Sequence, residues 1–225
     1  MPKFQKPVRK IRKSRVSRTG YISARGEQPA ANYESSLERD LFVILRFDLG
    51  YEVDYYCHQP LYVEVPKPNG KKSQYPIDAY VEFCANLNKY PRLIETKYRK
   101  DLRKRWAEWK PKFREAHKSA RAHGARFHIY TERHIRTPYL DNAKFLQGPK
   151  DQLEIPELTQ RLIGQLDYLG PLTPERLLTS LSEDPLEVAT LKPMLWHLIA
   201  HRRIKTDLNL PLDPLTSVLE LGILQ

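Results

Sequence analysis

The chain has 225 residues, of which 40% are hydrophobic and 29% charged, enough apolar content for a packed core and too much for wholesale disorder. Its net charge of +11 is unevenly spread: residues 1–150 carry 32 Lys+Arg against 16 Asp+Glu, whereas residues 151–225 carry 6 against 11. No run approaches the roughly 18 apolar residues of a membrane span. Two cysteines, Cys57 and Cys84, exclude a disulfide framework and a four-cysteine zinc site.

The first 150 residues look built to meet a polyanion, because Lys and Arg that neutralise phosphates release counterions. Residues 1–30 hold nine Lys+Arg against the single Glu27, with scattered Ser, Gly and Pro, and read as a basic flexible arm. Met1–Arg25 is charged with no apolar segment behind it, unlike a secretory signal, and a reducing cytoplasm is the expected location.

The first ordered element is a helix over Asn32–Phe47, with Leu37, Leu41, Ile44 and Leu45 on one stripe. Ser35 and Glu38 fit a capping box in which the Glu38 carboxylate holds the Ser35 backbone N–H. After Gly50 the period changes to two: strands are expected from Tyr51, over Leu61–Val65, over Tyr75–Cys84 and over Leu93–Tyr98, with a turn at Pro66–Gly70. Residues 99–126 form a second basic block, eleven Lys+Arg against three acids. There Leu102, Trp106, Trp109, Phe113 and Ala120 keep helical spacing, which predicts an amphipathic helix with aromatics inward and a basic face outward. Arg99, Lys100, Arg103, Lys104 and Arg105, at its start, are candidate DNA contacts. Gly124 stops it, and a strand follows at Phe127–Tyr130. A helix over Tyr139–Leu146 leads to a boundary at Gly148-Pro149-Lys150.

These elements predict a mixed α/β domain over residues 31–150. Residues 151–225 read differently. Helices are expected around Leu158–Leu166, over Thr173–Leu181 with Thr173 as N-cap and Pro174 at N1, and over Pro185–His201. A short hairpin over Arg202–Leu210 would complete a winged-helix pattern. The acidic balance favours partner docking over DNA binding for this part.

Phosphate-cradling glycine loops and GxSxG elbows are absent from the sequence, and His117 and His123 stand outside metal-ligand spacing. One constellation remains. Asp78 opens an apolar strand, and Glu95-Thr96-Lys97 ends the next. Period two puts Glu95 and Lys97 on one face, and a hairpin between them and Asp78 brings the carboxylates together. Hard Mg²⁺ takes oxygen ligands, here Asp78, Glu95 and the Thr96 backbone carbonyl. Two carboxylates beside a lysine on a basic surface suit metal-assisted phosphodiester cleavage. Acids and lysines at strand ends also serve as plain ion pairs, and Glu38 taken alone is a capping residue.

The ordered set Glu34-Ser35-Ser36-Leu37-Glu38, Gln59-Pro60, Tyr75-Pro76-Ile77-Asp78 and Leu93-Ile94-Glu95-Thr96-Lys97, followed by a basic helix, resembles the PD-(D/E)xK restriction-endonuclease-like superfamily. Within it the order is most similar to the TnsA endonuclease family of heteromeric cut-and-paste transposons. Pro76-Ile77-Asp78 carries one residue more than the usual Pro-Asp.

The resemblance implies a restriction-endonuclease-like sheet flanked by helices and four catalytic residues, Glu38, Asp78, Glu95 and Lys97. Mg²⁺, for which Mn²⁺ can substitute, would sit on Asp78 and Glu95, with Glu38 a further candidate ligand. It implies a bacterial cytoplasmic enzyme that cuts the 5′ ends of the transposon while a TnsB-like transposase handles the 3′ ends, and a C-terminal domain that contacts a TnsC-like AAA+ regulator. Gln59 is expected to be a structural or supporting amide. The alternatives are another PD-(D/E)xK restriction or repair endonuclease, or a non-catalytic DNA-binding assembly factor.

Overall fold

The computed structural model describes residues 4, 7–8, 19–22, 31–67 and 69–222, so most of the basic arm lies outside it. The described chain divides into two compact units between Ile135 and Arg136.

The first unit runs β1 (Gly20–Ile22), β2 (Ala31–Tyr33), α1 (Ser36–Phe47), β3 (Val53–His58), β4 (Tyr62–Pro66), β5 (Lys72–Pro76), β6 (Ala79–Phe83), β7 (Arg92–Thr96), α2 (Arg99–Ala122), β8 (Arg126–Tyr130) and α3 (Glu132–Ile135). Four strands form the main sheet in the order β3-β6-β7-β8. β3, β6 and β7 are antiparallel neighbours, while β7 and β8 are parallel and joined through α2. A parallel pair needs such a crossover, and a helix is its usual form.

Period two splits the sheet residues between two cores. Ala79, Val81 and Ile94 join Leu37, Leu41, Phe42 and Leu45 of α1 on one side. Tyr80 and Leu93 join Ala116 and Ala120 of α2 on the other. The sheet is thus sandwiched between the two helices, each contributing one apolar stripe.

Three expectations change here. Helix α1 starts at Ser36, later than Asn32, because residues Ala31–Tyr33 pair antiparallel with Gly20–Ile22. Ser35 is the N-cap, its hydroxyl accepting the Glu38 N–H at 3.1 Å. The expected single strand Tyr75–Cys84 is two strands in two sheets: β5 pairs with β4, and β6 pairs with β3 and β7. Pro76, which has no N–H to continue a ladder, ends β5 opposite Tyr62. The third change concerns α2, which breaks at Arg105 (φ −117°, ψ 19°), ahead of Pro111. The break takes Trp106 off the buried stripe and leaves it 48% exposed, whereas Trp109, Phe113, Ala116 and Ala120 stay buried. Pro111 contributes because it cannot bond the carbonyl four residues back. Gly124, at φ +65°, turns the chain out of the helix as expected.

The second unit is mainly helical: α4 (Pro138–Lys150), α5 (Pro156–Leu169), α6 (Pro174–Leu181) and α7 (Pro185–Ala200), then β9 (Ile204–Lys205) and β10 (Glu220–Leu221). Each of these helices opens on a proline, whose missing N–H costs nothing in the first turn. Thr173 caps α6 as expected, accepting from the Arg176 N–H at 3.4 Å.

The division after Ile135 falls earlier than Gly148-Pro149-Lys150, which lies inside the last turn of α4. Side chains explain why α4 belongs with the later helices. The Asn142 amide donates to the Leu208 and Leu210 carbonyls at 2.9 and 2.7 Å and accepts from the Leu212 N–H at 3.0 Å. His197 and His201 hydrogen-bond the Pro149 and Lys150 carbonyls at 3.0 and 2.9 Å.

The hairpin expected within Arg202–Leu210 is a wider one. Ile204 and Lys205 pair with Leu221 and Glu220, and Leu219 bridges Leu172 between α5 and α6. Pro211 and Pro214 fall in the connection, where no ladder is required of them. At Gly222 a Cβ would meet the Arg202 carbonyl oxygen at 2.1 Å, so only glycine fits beside the returning strand. No described helix is long and apolar enough to cross a membrane.

Candidate active site

The pairing Ala79↔Ile94 makes Asp78 and Glu95 the next opposed positions of the β6–β7 ladder. Asp78 sits at the corner where the chain leaves the β4–β5 hairpin for the main sheet. Two bonds hold this corner: the Ile77 N–H donates to the Leu61 carbonyl at 3.2 Å, and the Gln59 N–H donates to the Asp78 carbonyl at 2.9 Å. Gln59 adopts φ +44°, a left-handed conformation rare outside glycine, so β3 ends in a bend whose N–H meets Asp78. This gives the buried Gln59 a supporting contact to Asp78 through its backbone.

The Asp78 carboxylate accepts from the Thr96 N–H at 2.7 Å and from the Thr96 hydroxyl at 2.8 Å through Oδ2. Glu95 is only 1% exposed. Its Oε1 accepts from Lys97 Nζ and from the Tyr75 hydroxyl. Its Oε2 is buried without a hydrogen-bond partner among the described residues. Lys97 Nζ also donates to the Thr96 carbonyl at 3.0 Å and lies 5.4 Å from the centre of the Trp109 ring. Asp78, Glu95, Thr96 and Lys97 are therefore joined in one hydrogen-bonded group at the end of β7.

Glu38 comes to this group from the first turn of α1. Its carboxylate accepts the Glu34 N–H at 2.9 Å, one residue before the Ser35 N–H predicted for the capping box. The N-cap serine thus keeps its own bond, and the acid ties down the approach to the helix. Burial and then the Asp78 charge push the Glu38 carboxyl up to about 8. Burial and then Asp78 likewise push Glu95 up to about 7, against the pull of Lys97 and Tyr75. Burial alone would lower the Lys97 ammonium, but Asp78 and Glu95 outweigh it and hold the group above the ordinary lysine range. Lys97 bonds only Glu95 of the three carboxyls, and Glu38 and Asp78 act on the group through their charge, which leaves it short of positive charge.

The donor set suits a hard divalent cation. Glu95 Oε2 is a buried carboxylate oxygen without a partner, Asp78 Oδ1 belongs to the adjoining carboxylate, and the Thr96 carbonyl has a second lone pair beyond the one Lys97 uses. Among the described residues no three His, Cys, Asp or Glu side chains converge as a ligand cluster by themselves. The carboxylate pair with a backbone carbonyl is the arrangement the residues offer. His123 is spent on its own helix, with Nδ1 at 2.8 Å from the Ser119 carbonyl.

Two further side chains touch this group, Tyr75, which opens the Tyr75-Pro76-Ile77-Asp78 segment but was given no role of its own, and Trp109. Tyr75 donates its hydroxyl to Glu95, and its ring faces Lys112 Nζ at 5.3 Å. Trp109 was expected as core and is buried, yet it also faces two cations, Lys97 and the Arg105 guanidinium at 4.8 Å. Of the candidate DNA contacts, Arg105 is held by Glu108 through two bonds of 2.8 Å. Arg99 is half-buried, and Lys100, Arg103 and Lys104 are exposed along the first turns of α2. From the N-terminal arm, Phe4 packs its ring on Tyr80 at 4.8 Å and accepts the Tyr55 hydroxyl at 2.7 Å.

Comparison with protein families decides the relationship. The family model for the TnsA-like endonuclease N-terminal part matches residues 51–132, and that for the TnsA endonuclease C-terminal part matches residues 134–208. The chain belongs to the TnsA endonuclease family. Membership implies a nuclease associated with transposition. The two matches meet where the described chain divides, and the first contains Asp78, Glu95, Thr96 and Lys97. Glu38 precedes the matched residues. A search of curated proteins found no match.

Proposed function

We propose that this member of the TnsA family is the divalent-metal-dependent endonuclease subunit of a transposase complex, cutting the 5′ ends of the transposon during excision. The observation that carries the reading is the joined group of Asp78, Glu95 and Lys97, with an unpartnered buried oxygen on Glu95, in a chain of an endonuclease family.

Asp78, Glu95 and the Thr96 carbonyl would hold Mg²⁺ or Mn²⁺, with Glu38 beside them. The ion, when bound, would acidify a water and offset charge on the scissile phosphate. The chain's own groups do the rest. Lys97 presents an ammonium that stays charged at neutral pH and stabilises charge developing on the phosphate. Tyr75 fixes the Glu95 carboxyl by donating to one oxygen, which leaves the other to face the site. Trp109 covers Lys97 on its ring side, and its position limits the freedom of the ammonium. Glu38, close enough to feel the Asp78 and Lys97 charges, would add a third carboxyl to the site, and a bound ion would draw it towards its ionised form.

A TnsB-like transposase that processes the 3′ ends is the expected co-worker, and a TnsC-like AAA+ regulator is assigned to the C-terminal domain. The net charge of −5 over residues 151–225 supports docking to protein there and argues against DNA.

The reading is tested by titration calorimetry with Mn²⁺ on wild type and Asp78→Ala. Wild type is expected to bind with one site per chain, and Asp78→Ala is expected to lose at least about tenfold in affinity, since one of the two charged ligands is gone. Equal binding by both proteins would refute the metal assignment.

A further inference from the structure

Beside the strand ends that carry Glu95 and Lys97 lies a surface cavity of about 400 Å³, lined by Arg99, Leu102, Arg103, Thr131, Arg133 and His134. Its place follows from the topology. β7 and β8 are parallel and in register, Thr96 opposite Tyr130, so Lys97 and Thr131 leave the sheet at the same end. The Lys97 N–H donates to the Tyr130 carbonyl at 3.0 Å, fixing this relation. Helix α2 then starts two residues after Lys97, and α3 starts one residue after Thr131.

The cavity is basic, and its guanidinium groups are not spent elsewhere. Among the described residues Arg99, Arg103 and Arg133 have no carboxylate partner for their side chains, in contrast to Arg105, which Glu108 holds. The nearby Glu132 carboxylate accepts the Arg99 backbone N–H at 3.0 Å, so it already occupies the start of α2 and offsets at most one of the three charges. His134 adds a directed donor. Its Nδ1 accepts the Thr131 backbone N–H at 3.0 Å, which puts the ring proton on Nε2, and its ring lies against Tyr130 with centroids 5.7 Å apart. Three planar forks and one N–H donor around an open cavity match the oxygens of a phosphodiester.

We propose that Arg99, Arg103, Arg133 and the Nε2–H of His134 form a clamp for a DNA backbone phosphate next to the one that is cut. Arg133 and His134 extend the contact surface beyond the basic helix to the far side of the β7–β8 strand ends, so that the strand is gripped from two elements. The proposal rests on the nuclease reading for what lies next door, but DNA binding itself can be measured without cleavage.

The test is duplex DNA binding by the full chain in EDTA, followed by fluorescence anisotropy over a range of salt. Arg133→Ala is expected to weaken binding about five- to tenfold at 0.1 M salt and to lower the slope of log K against log salt by about one. Arg103→Ala with Arg133→Ala is expected to lower it by about two. His134→Asn keeps a side-chain acceptor for the Thr131 N–H, loses the Nε2–H donor and is expected to weaken binding about threefold with an unchanged slope. Lys118→Ala removes the same charge from the far end of α2, where Lys118 pairs with Glu115 at 2.8 Å, and is expected to stay within twofold of wild type.

Arg103 and Arg133 are exposed, so their variants should melt as wild type does; melting curves check this and show whether the His134 variant keeps the start of α3. An Arg133→Ala slope equal to wild type, an equal loss in Lys118→Ala, or a larger loss on duplex RNA than on DNA would overturn the clamp. So would a wild-type chain that binds no DNA. A wild type that shows the slope pattern but never cuts would refute the nuclease reading and leave the clamp standing.

Discussion

Replacing Lys97 by alanine is expected to lower strand cleavage by at least about 100-fold while DNA affinity stays within about twofold. The two effects separate because Lys97 is one of 32 Lys+Arg in residues 1–150, so the phosphate electrostatics barely change. Its ammonium is held in place by Glu95 and the Thr96 carbonyl, beneath the Trp109 ring, and matters when charge develops on the phosphate. Removing one partner of a buried ion pair ordinarily costs about 3–5 kcal/mol. Here the cost is smaller, because Glu95 is already pushed up to about 7 and can take a proton once the ammonium is gone. Single-turnover cleavage, anisotropy and thermal melting of the same preparation check the three parts. Cleavage at the wild-type rate would remove Lys97 from the catalytic group.

Glu38→Gln is expected to lose cleavage by a similar factor and to fold at least as well as wild type. The Glu34 N–H that the carboxylate now accepts can be accepted equally by the glutamine side-chain oxygen, so the entry to α1 is kept. What goes is the negative charge facing Asp78 and Lys97. Because the folded carboxyl is raised from an ordinary 4.5 to about 8, ionising it opposes folding. Its unfavourable contribution is absent below about pH 4.5, grows as pH rises towards about 8, and is constant above that. In metal-free buffer the variant should therefore melt close to wild type at pH 4.5 and above it at pH 8. A variant that cuts normally would leave Glu38 as a helix-entry residue and reduce the active group to Asp78, Glu95 and Lys97. A variant less stable than wild type at pH 8 would contradict the account of its burial.

The meeting of Asp78, Glu95 and Lys97 was legible because strand alternation and a short hairpin are local rules. Asp78 and Glu95 needed only the right ladder register to meet, and Lys97 only period two. The same rule hid the corner that aims Asp78. Tyr75–Phe83 keeps an apolar rhythm throughout, and nothing in that rhythm marks the change of sheet at Ile77; only Pro76, unable to donate, hints at it.

Tyr75 and Trp109 show a different limit. Their roles come from pairing between a two-stranded hairpin, a helix and the main sheet, which spacing along the chain does not encode. Trp106 sat on the predicted stripe, and it is exposed because the stripe assumes a straight helix and α2 breaks at Arg105. The division between Ile135 and Arg136 carries no punctuation of its own in the sequence. Gly148 and Pro149 are strong punctuation and α4 does end at Lys150, but the contacts of Asn142, His197 and His201 that bind α4 to the later helices are long-range.

The central claim is tested most directly by asking which strand is cut. A duplex spanning a transposon end, labelled separately on each strand, would be incubated with the full chain, its TnsB-like transposase and Mg²⁺, and compared with the same mixture in EDTA. The account predicts a cut at the 5′ end of the element that needs both this chain and the divalent ion, with the 3′ cut still made by the transposase when Asp78→Ala replaces the wild type. A 5′ cut that persists with Asp78→Ala, or in EDTA, would contradict it.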